Sequence, residues 1–386
     1  VSTSLLLLLA AANFAVGMGA LGVVGLVSPL AGAFGIAPPT AAWMVSLYAM
    51  VYAVSSPLLV ALTGGVDRAR VLVIGLLVFG AGALGAALAP DFAMLLLARA
   101  AMAIGGGLIS PVAASVAMAL TAPERRGRAL SLVFGGLTVS QAIGVPICTW
   151  LGYAFGWQAA FLLVAALALP CALLLHLRAP RAIAVPATSL ATLGTVLTTP
   201  RLLLALGYTV LFLGAAYALH TYLGPFAEAV HGLGRDGVTG LLLVFGLGAV
   251  GGNAIGGWLA DRIGPVRTLV LLGLCQAAIM LPLTLAPITP THLFVIVAIW
   301  SVIGWAFSVP QQLRLSALAP PLTPVLFALN AACISVGASL GGVAGGVALR
   351  EFGYAALGPT GALLALLAVG SLWLVARMRV QPAGRA

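Results

Sequence analysis

The sequence has no lysine, seven acidic residues and four cysteines. Charged residues make up 6% of its 386 positions, hydrophobic ones 62%, and the mean hydropathy is +1.20. Soluble domains carry about a quarter of their residues as charges. A water-facing globule of this composition could not cover its surface, whereas a bilayer tolerates it. The acids are Asp67, Asp91, Glu124, Glu228, Asp236, Asp261 and Glu351. All fall between apolar runs or at their ends, so no carboxylate relay stands at mid-membrane. Cys148, Cys171, Cys275 and Cys333 sit singly inside apolar runs with no C-x-x-C pairing. They indicate neither a disulfide framework nor a metal site and read as small buried residues. No nucleophile–base–acid set, phosphate-cradling loop or metal spacing occurs, so neither an enzyme nor a cofactor nor a metal is expected. The net charge of +10 comes from arginines in short clusters without interleaved aromatics, which argues against nucleic acid as a partner. The first basic residue is Arg68, so the N-terminal apolar run lacks a signal peptide's basic flank and reads as a retained membrane helix.

What is present is a series of apolar segments long enough to span, each needing about 20 residues. Charges and Pro/Gly breaks divide the chain into 4–29, 41–63, 71–89, 92–120, 129–152, 158–177, 202–227, 238–260, 268–286, 291–313, 322–348 and 355–376. With the N-terminus in the cytoplasm, Arg68, Arg70, Arg125, Arg126, Arg128, Arg178, Arg181, Arg201, Arg262, Arg267, Arg314, Arg377, Arg379 and Arg385 lie on the cytoplasmic side. Only Arg235 and Arg350 fall in outer loops, and Arg99 falls inside a span. That asymmetry satisfies the positive-inside rule, places both termini in the cytoplasm, and supports the span count, because one missed span would scramble the alternation.

The two halves repeat. Arg70 to Ala-Pro90 matches Arg267 to Ala-Pro287 in length; Pro111 matches Pro310, Phe155-Gly156-Trp157 matches Phe352-Gly353-Tyr354, and Asp67-Arg68 matches Asp261-Arg262, in order and at nearly constant offset. Six spans followed by six in the same orientation is a parallel repeat about the membrane normal. The expected organisation is an all-α membrane protein: a six-helix bundle over 1–178, a cytoplasmic linker over 179–200 containing Pro180, Pro186 and Pro200, and a second bundle over 201–386 with a short cytoplasmic tail.

These residues also carry a family resemblance. Gly257-Trp-Leu-Ala-Asp261-Arg262-Ile-Gly264-Pro-Val-Arg267 resembles the loop signature of the major facilitator superfamily between the second and third helices of each half, and Asp67-Arg68-Ala-Arg70 is its degenerate first copy. Pro123 to Ala129 resembles the loop between the fourth and fifth helices, and Arg99 with Gly105-Gly106-Gly107 the fourth-helix motif. Gly144-Val-Pro146 with Gly156-Trp157, and Thr221-Tyr222-Leu-Gly-Pro225-Phe226, are similar to the arabinose-efflux-like branch of drug–proton antiporters, with Val145 inserted and Gln158 where that branch has arginine. The resemblance implies twelve helices in the major facilitator fold, at work in the bacterial inner membrane. It implies alternating access and export of a drug-like or sugar-like solute by proton antiport. A facilitator or importer of the same fold is the alternative, and a non-transporting sensor or scaffold is the alternative from another class. The expected partners are a small-molecule substrate, protons and membrane lipid, and the expected state is a monomer.

The resemblance implies a cytoplasmic gate made of Asp67, Arg68, Arg70, Asp261, Arg262 and Arg267, against the alternative of charged turns that only enforce topology. Arg99 should face a partner or a wet cavity, because a mid-membrane arginine costs about 2.5–3.5 kcal/mol, or else snorkel to the outer interface. Small residues recur every four positions in spans 5, 8 and 11: Gly136, Ser140, Gly144, Cys148 and Gly152; Gly248, Gly252, Gly256 and Ala260; Gly337, Gly341 and Gly345. That spacing keeps them on one face. In the resembled fold, helices 5 and 8, and 2 and 11, meet across the halves. With Pro146, these glycines are expected to form sliding surfaces, the alternative being static packing. Polar residues within spans mark cavity walls or helix–helix hydrogen bonds: Asn13, Tyr48, Tyr52, Gln141, Tyr217, His220, Tyr222, Asn253, Trp300, Trp305, Gln311 and Asn330. With no buried acid, proton coupling would use His220, Asp91 beside Arg99, or the substrate's own titration. His220 could equally be a hydrogen-bonded structural residue.

Overall fold

The computed structural model describes residues 3–121, 126–180 and 190–378. Glu124, Arg125, Arg181, Pro186, Arg379 and Arg385 lie outside them, as does the side chain of Asn253. Among the described residues, twelve helices are long and apolar enough to cross a membrane. Spans 1 to 6 are Ser4–Phe34, Pro38–Val60, Arg68–Ala87, Phe92–Ala117, Leu132–Phe155 and Trp157–Arg178. Spans 7 to 12 are Pro200–His220, Arg235–Ile263, Pro265–Leu285, Pro290–Leu318, Val325–Phe352 and Tyr354–Arg377. A short helix, Leu190–Leu197, precedes span 7. Large apolar side chains such as Leu97, Leu173 and Leu366 are exposed on the perimeter, where lipid would cover them.

Prolines set where the helices break. Continuous helix was expected over 202–227, but it stops at His220 and restarts as Leu223–His231. Pro225 cannot donate a backbone hydrogen bond, and its ring crowds the carbonyl of Thr221 four residues back, so the helix breaks there. Pro310 acts likewise in span 10, where helix Pro290–Trp305 gives way to Ser308–Leu318. In span 4, Pro111 frees the Gly107 carbonyl without breaking the helix, and Ser56 Oγ of span 2 donates to that carbonyl at 2.6 Å. Ahead of Pro146, span 5 widens into a π-helical turn over Ser140–Gly144.

Each half packs in the same way. The span 5 stripe lies on span 1: a methyl on Gly136 would meet the Ala10 carbonyl oxygen at 2.0 Å, Ser140 abuts Gly17, Gly144 lies against Met18, Cys148 fills the space at Gly22, and Gly152 lies against Leu26. In the other half, Gly337, Gly341 and Gly345 lie against Val210, Gly214 and Ala218 of span 7. Gly248, Gly252 and Gly256 lie against Ser301, Val302 and Ala306 of span 10. This corrects the sliding-surface expectation: all three stripes hold helices together within a bundle. Spans 5 and 8, and 2 and 11, do meet across the bundles, but through other glycines. Gly246 meets Gln141 and Ala142, while Gly342 and Gly346 meet Ser46 and Pro39. A four-residue repeat marks a face that allows close approach; it carries no information about which neighbour approaches.

Candidate functional site

A cavity of about 270 Å³ lies between the bundles. Spans 1 and 2 contribute Val16, Gly17, Tyr48 and Tyr52, span 4 Ser110, and span 5 Thr138 and Gln141. The facing wall holds Tyr217 of span 7, Trp305 of span 10, and Ile334 and Ser335 of span 11. No charged side chain lines it among the described residues. The Tyr48 and Tyr52 rings stack at 6.2 Å and form an aromatic wall. The π-helical turn places Gln141 in this lining while its backbone touches Gly246 of the other bundle.

Arg99 stands behind that wall and is fully buried. The first α-helical stretch ends at Leu21, so carbonyls in its last turn lack ordinary helical donors. Arg99 supplies them: Nη1 donates to Gly19 O at 2.5 Å and Nη2 to Ala20 O at 3.5 Å. Its Nε donates to Met44 O at 3.4 Å, and the guanidinium lies 4.4 Å from the Tyr48 ring centroid. Protein thus satisfies the charge, which does not snorkel and does not line the cavity. Asp91 is not its partner: that exposed carboxylate accepts from the Met94 amide at 2.8 Å.

Of the polar residues singled out by sequence, Tyr48, Tyr52, Gln141 and Tyr217 line the cavity, with Trp305 beside them. Asn13 does not; it accepts from Ser110 Oγ at 2.6 Å and ties span 1 to span 4. Asn330 accepts from Thr209 Oγ1 at 2.6 Å, and Thr209 also accepts from Gln311 at 3.0 Å, joining spans 7, 10 and 11. These two asparagines are helix–helix hydrogen bonders. The Tyr222 hydroxyl donates to Gly342 O at 2.7 Å. His220 and Trp300 occupy a side chamber with Phe245, separated from the main cavity by Tyr217 and Trp305. Ser110, Thr138 and Ser335 had no distinguishing signal in sequence, because isolated hydroxyls are common in membrane helices and bond to their own backbone.

The bundles are held together at one end. There the Tyr153 hydroxyl of span 5 donates to the Glu228 carboxylate in Leu223–His231, and Arg235 lies 5.6 Å from the Trp150 ring. Sequence reading missed this link, since span ends give no sign of which loop faces which. The gate residues lie at the opposite end. Asp67 caps span 3 by accepting from the Ala69 amide at 3.0 Å. Arg68 donates to Thr63 O and Gly64 O of its own turn, each at 3.3 Å. Arg262 stacks on Trp258 at 4.4 Å, while Arg70, Asp261 and Arg267 are exposed. Neither Arg68 nor Arg262 reaches the opposite turn.

The profile of the Major Facilitator Superfamily matches residues 7–324. The inner membrane transport protein YdhP of Escherichia coli K12 is 29% identical over 375 residues, covering 96% of both chains. The MFS-type transporter YtbD of Bacillus subtilis is 31% identical over 355 residues, covering 90% of this chain and 89% of that one. YbcL of the same organism is 27% identical over 362 residues, covering 94% and 93%. A bacterial homologue of the human lysosomal transporter Spinster, in an inward-facing and occupied conformation, superposes with a TM-score of 0.79 at 18% identity over 99% of both chains.

Proposed function

This chain belongs to the major facilitator superfamily and is a multi-pass membrane transport protein, and from that premise we propose that it exports an uncharged, largely apolar small molecule by alternating access, driven by protons entering the cell. The observation that carries the reading is the cavity: about 270 Å³, between two bundles, aromatic on two sides and without a charged side chain. A charged solute there would be desolvated without a partner, which costs several kcal/mol, and a sugar would leave most of its hydroxyls unmatched. Of the drug-like and sugar-like alternatives, the mostly apolar surface favours the first, with the hydroxyls and amide of Tyr52, Thr138, Gln141 and Ser335 left to meet the few polar atoms of such a solute. The arginine distribution sets the Asp67 and Arg262 turns in the cytoplasm. On that orientation the bundles are closed on the outer side and the cavity faces inward, ready to load. Export is supported by the exporter-like residues of spans 5 and 7. Asp67, Arg68, Asp261 and Arg262 are then an inner latch. The protein acts as a monomer surrounded by lipid.

Inverted vesicles with an acid interior provide the test. The expected result is accumulation of neutral aromatic solutes such as chloramphenicol, competed by other neutral aromatics and not by sugars or organic anions. Accumulation of sugars or organic anions in preference would overturn the substrate class, and accumulation indifferent to the pH gradient would overturn the proton drive. The absence of a carboxylate in the middle of any span favours a second reading, a facilitator. Counterflow that persists unchanged after both pH and voltage gradients are collapsed, with no gradient-driven accumulation, would establish it.

A further inference from the structure

His220 is enclosed in a way that the substrate cavity does not require. It ends the first part of span 7, where Pro225 breaks the helix, and its ring stacks on Phe245 of span 8 at 4.2 Å and 19°. The Tyr217 ring meets it edge-on at 5.4 Å, and Trp300 of span 10 lies 6.4 Å away. His220 is 7% exposed and Trp300 fully buried, and neither His220 Nδ1 nor Trp300 Nε1 has a hydrogen-bonding partner among the described residues. Two orphaned polar atoms in an apolar bundle are costly, at about 1–3 kcal/mol each. Both belong to the lining of a chamber of about 10 Å³, closed otherwise by Leu213, Ala216, Phe245 and Gly304 and sharing Tyr217 and Trp305 with the main cavity. A space of that size is just large enough for one water, for which these two unpartnered atoms are the polar partners.

We infer that His220 is the group that carries the coupling proton, exchanging it with the substrate cavity through one water in this side chamber. The inference rests on the proton-driven reading above and names the residue that serves it. Three independent features support it. Imidazole is the one side chain whose ordinary charge change falls between about pH 5 and 8. The carboxylates that could compete lie between spans or at their ends. The aromatic faces around the ring offer an imidazolium cation–π stabilisation that offsets part of the cost of a buried charge. The groups facing the ring are Tyr217 from its own helix, Phe245 from span 8, and Trp300 and Trp305 from span 10; the tyrosine is the one titratable group among them. In the cycle, Nδ1 takes a proton from outer water when the outer end opens. It returns that proton through the chamber water to the cavity when the inner end opens.

The test separates proton binding from solute movement. A protonated imidazole quenches a neighbouring indole, so Trp300 reports on His220. Tryptophan emission of the purified wild type is expected to change with pH as the ring takes up its proton; His220→Gln should abolish that change and Trp300→Phe should weaken it, Trp305 being the other indole in the chamber. In vesicles, His220→Gln should lower the ratio of gradient-driven chloramphenicol accumulation to chloramphenicol counterflow by at least about tenfold. An unchanged ratio, or emission that titrates equally in His220→Gln, would overturn the inference. Absence of chloramphenicol movement in the wild type would count against the proposed substrate class, and the emission titration would then decide on His220 alone.

Discussion

Arg99 bears a charge in the least hospitable part of the molecule and spends it mainly on backbone carbonyls. Its three donors to Gly19, Ala20 and Met44 bind spans 1, 2 and 4 behind the Tyr48 wall. Arg99→Ala would take three hydrogen-bond donors away from those carbonyls in an apolar interior. The expected outcome is a loss of about 2 kcal/mol or more, seen as a lower melting temperature in detergent, together with loss of solute accumulation. Full activity and an unchanged melting point would mean that the guanidinium is dispensable. Glycines give a second test at this scale. A methyl on Gly341 would lie 2.3 Å from the Gly214 carbonyl oxygen, and backbone cannot yield, whereas a methyl on Gly207 would meet nothing within 4 Å. Gly341→Ala should destabilise by about 1–3 kcal/mol, and Gly207→Ala should be neutral or stabilising by up to about 1 kcal/mol, both read from thermal melts. The sequence made these residues conspicuous because an arginine or a glycine repeat stands out in an apolar run. It could not tell that Arg99 would be answered by carbonyls and not by Asp91, since unpaired carbonyls arise only where a neighbouring helix changes its winding.

At the scale of elements, the seam between the bundles has few polar fastenings. Tyr153 and Glu228 provide one at the closed end. Tyr153→Phe removes a hydrogen bond worth about 1 kcal/mol, which amounts to about a fivefold shift toward the open outer end. Ser46, 2% exposed at the contact of spans 2 and 11, reports on that opening. A cysteine placed there in a background lacking the four native cysteines should react about fivefold faster with an impermeant maleimide applied from outside when Tyr153 is Phe. An unchanged rate would show that apolar packing alone closes the seam. The spans themselves were legible, because prolines and arginines interrupt apolar runs at their ends. The interruptions inside spans 7 and 10 were not anticipated: both segments were expected as continuous helix, and it is the structure that shows Pro225 and Pro310 each four residues beyond the carbonyl they displace. What could not be read was partnership. Gly246, Gly342 and Gly346 make the seams while the more regular stripes beside them face inward to their own bundle, a difference of helix rotation that a repeat of four cannot encode.

At the scale of the whole molecule, two six-helix bundles pack alike, spans 1 on 5 and 7 on 11, 2 on 4 and 8 on 10, and meet at one end around a cavity. The repeat in sequence foretold this likeness because each half must bury the same kind of faces. The cavity's character depended on convergence: Tyr48, Gln141, Tyr217 and Trp305 come from four spans, and His220, Phe245 and Trp300 from three. Close packing makes such bundles move as bodies and not as deformable material. The central claim is therefore that the inner end closes as the outer end opens. Paired spin labels test it in vesicles, with cysteines at the exposed positions Val66 and Val266 for the inner end and Phe155 and Val230 for the outer end. On imposing a proton gradient with chloramphenicol present, the inner distance should shorten while the outer one lengthens, in the same fraction of molecules. Distances that stay fixed, or that grow or shrink together, would contradict the account.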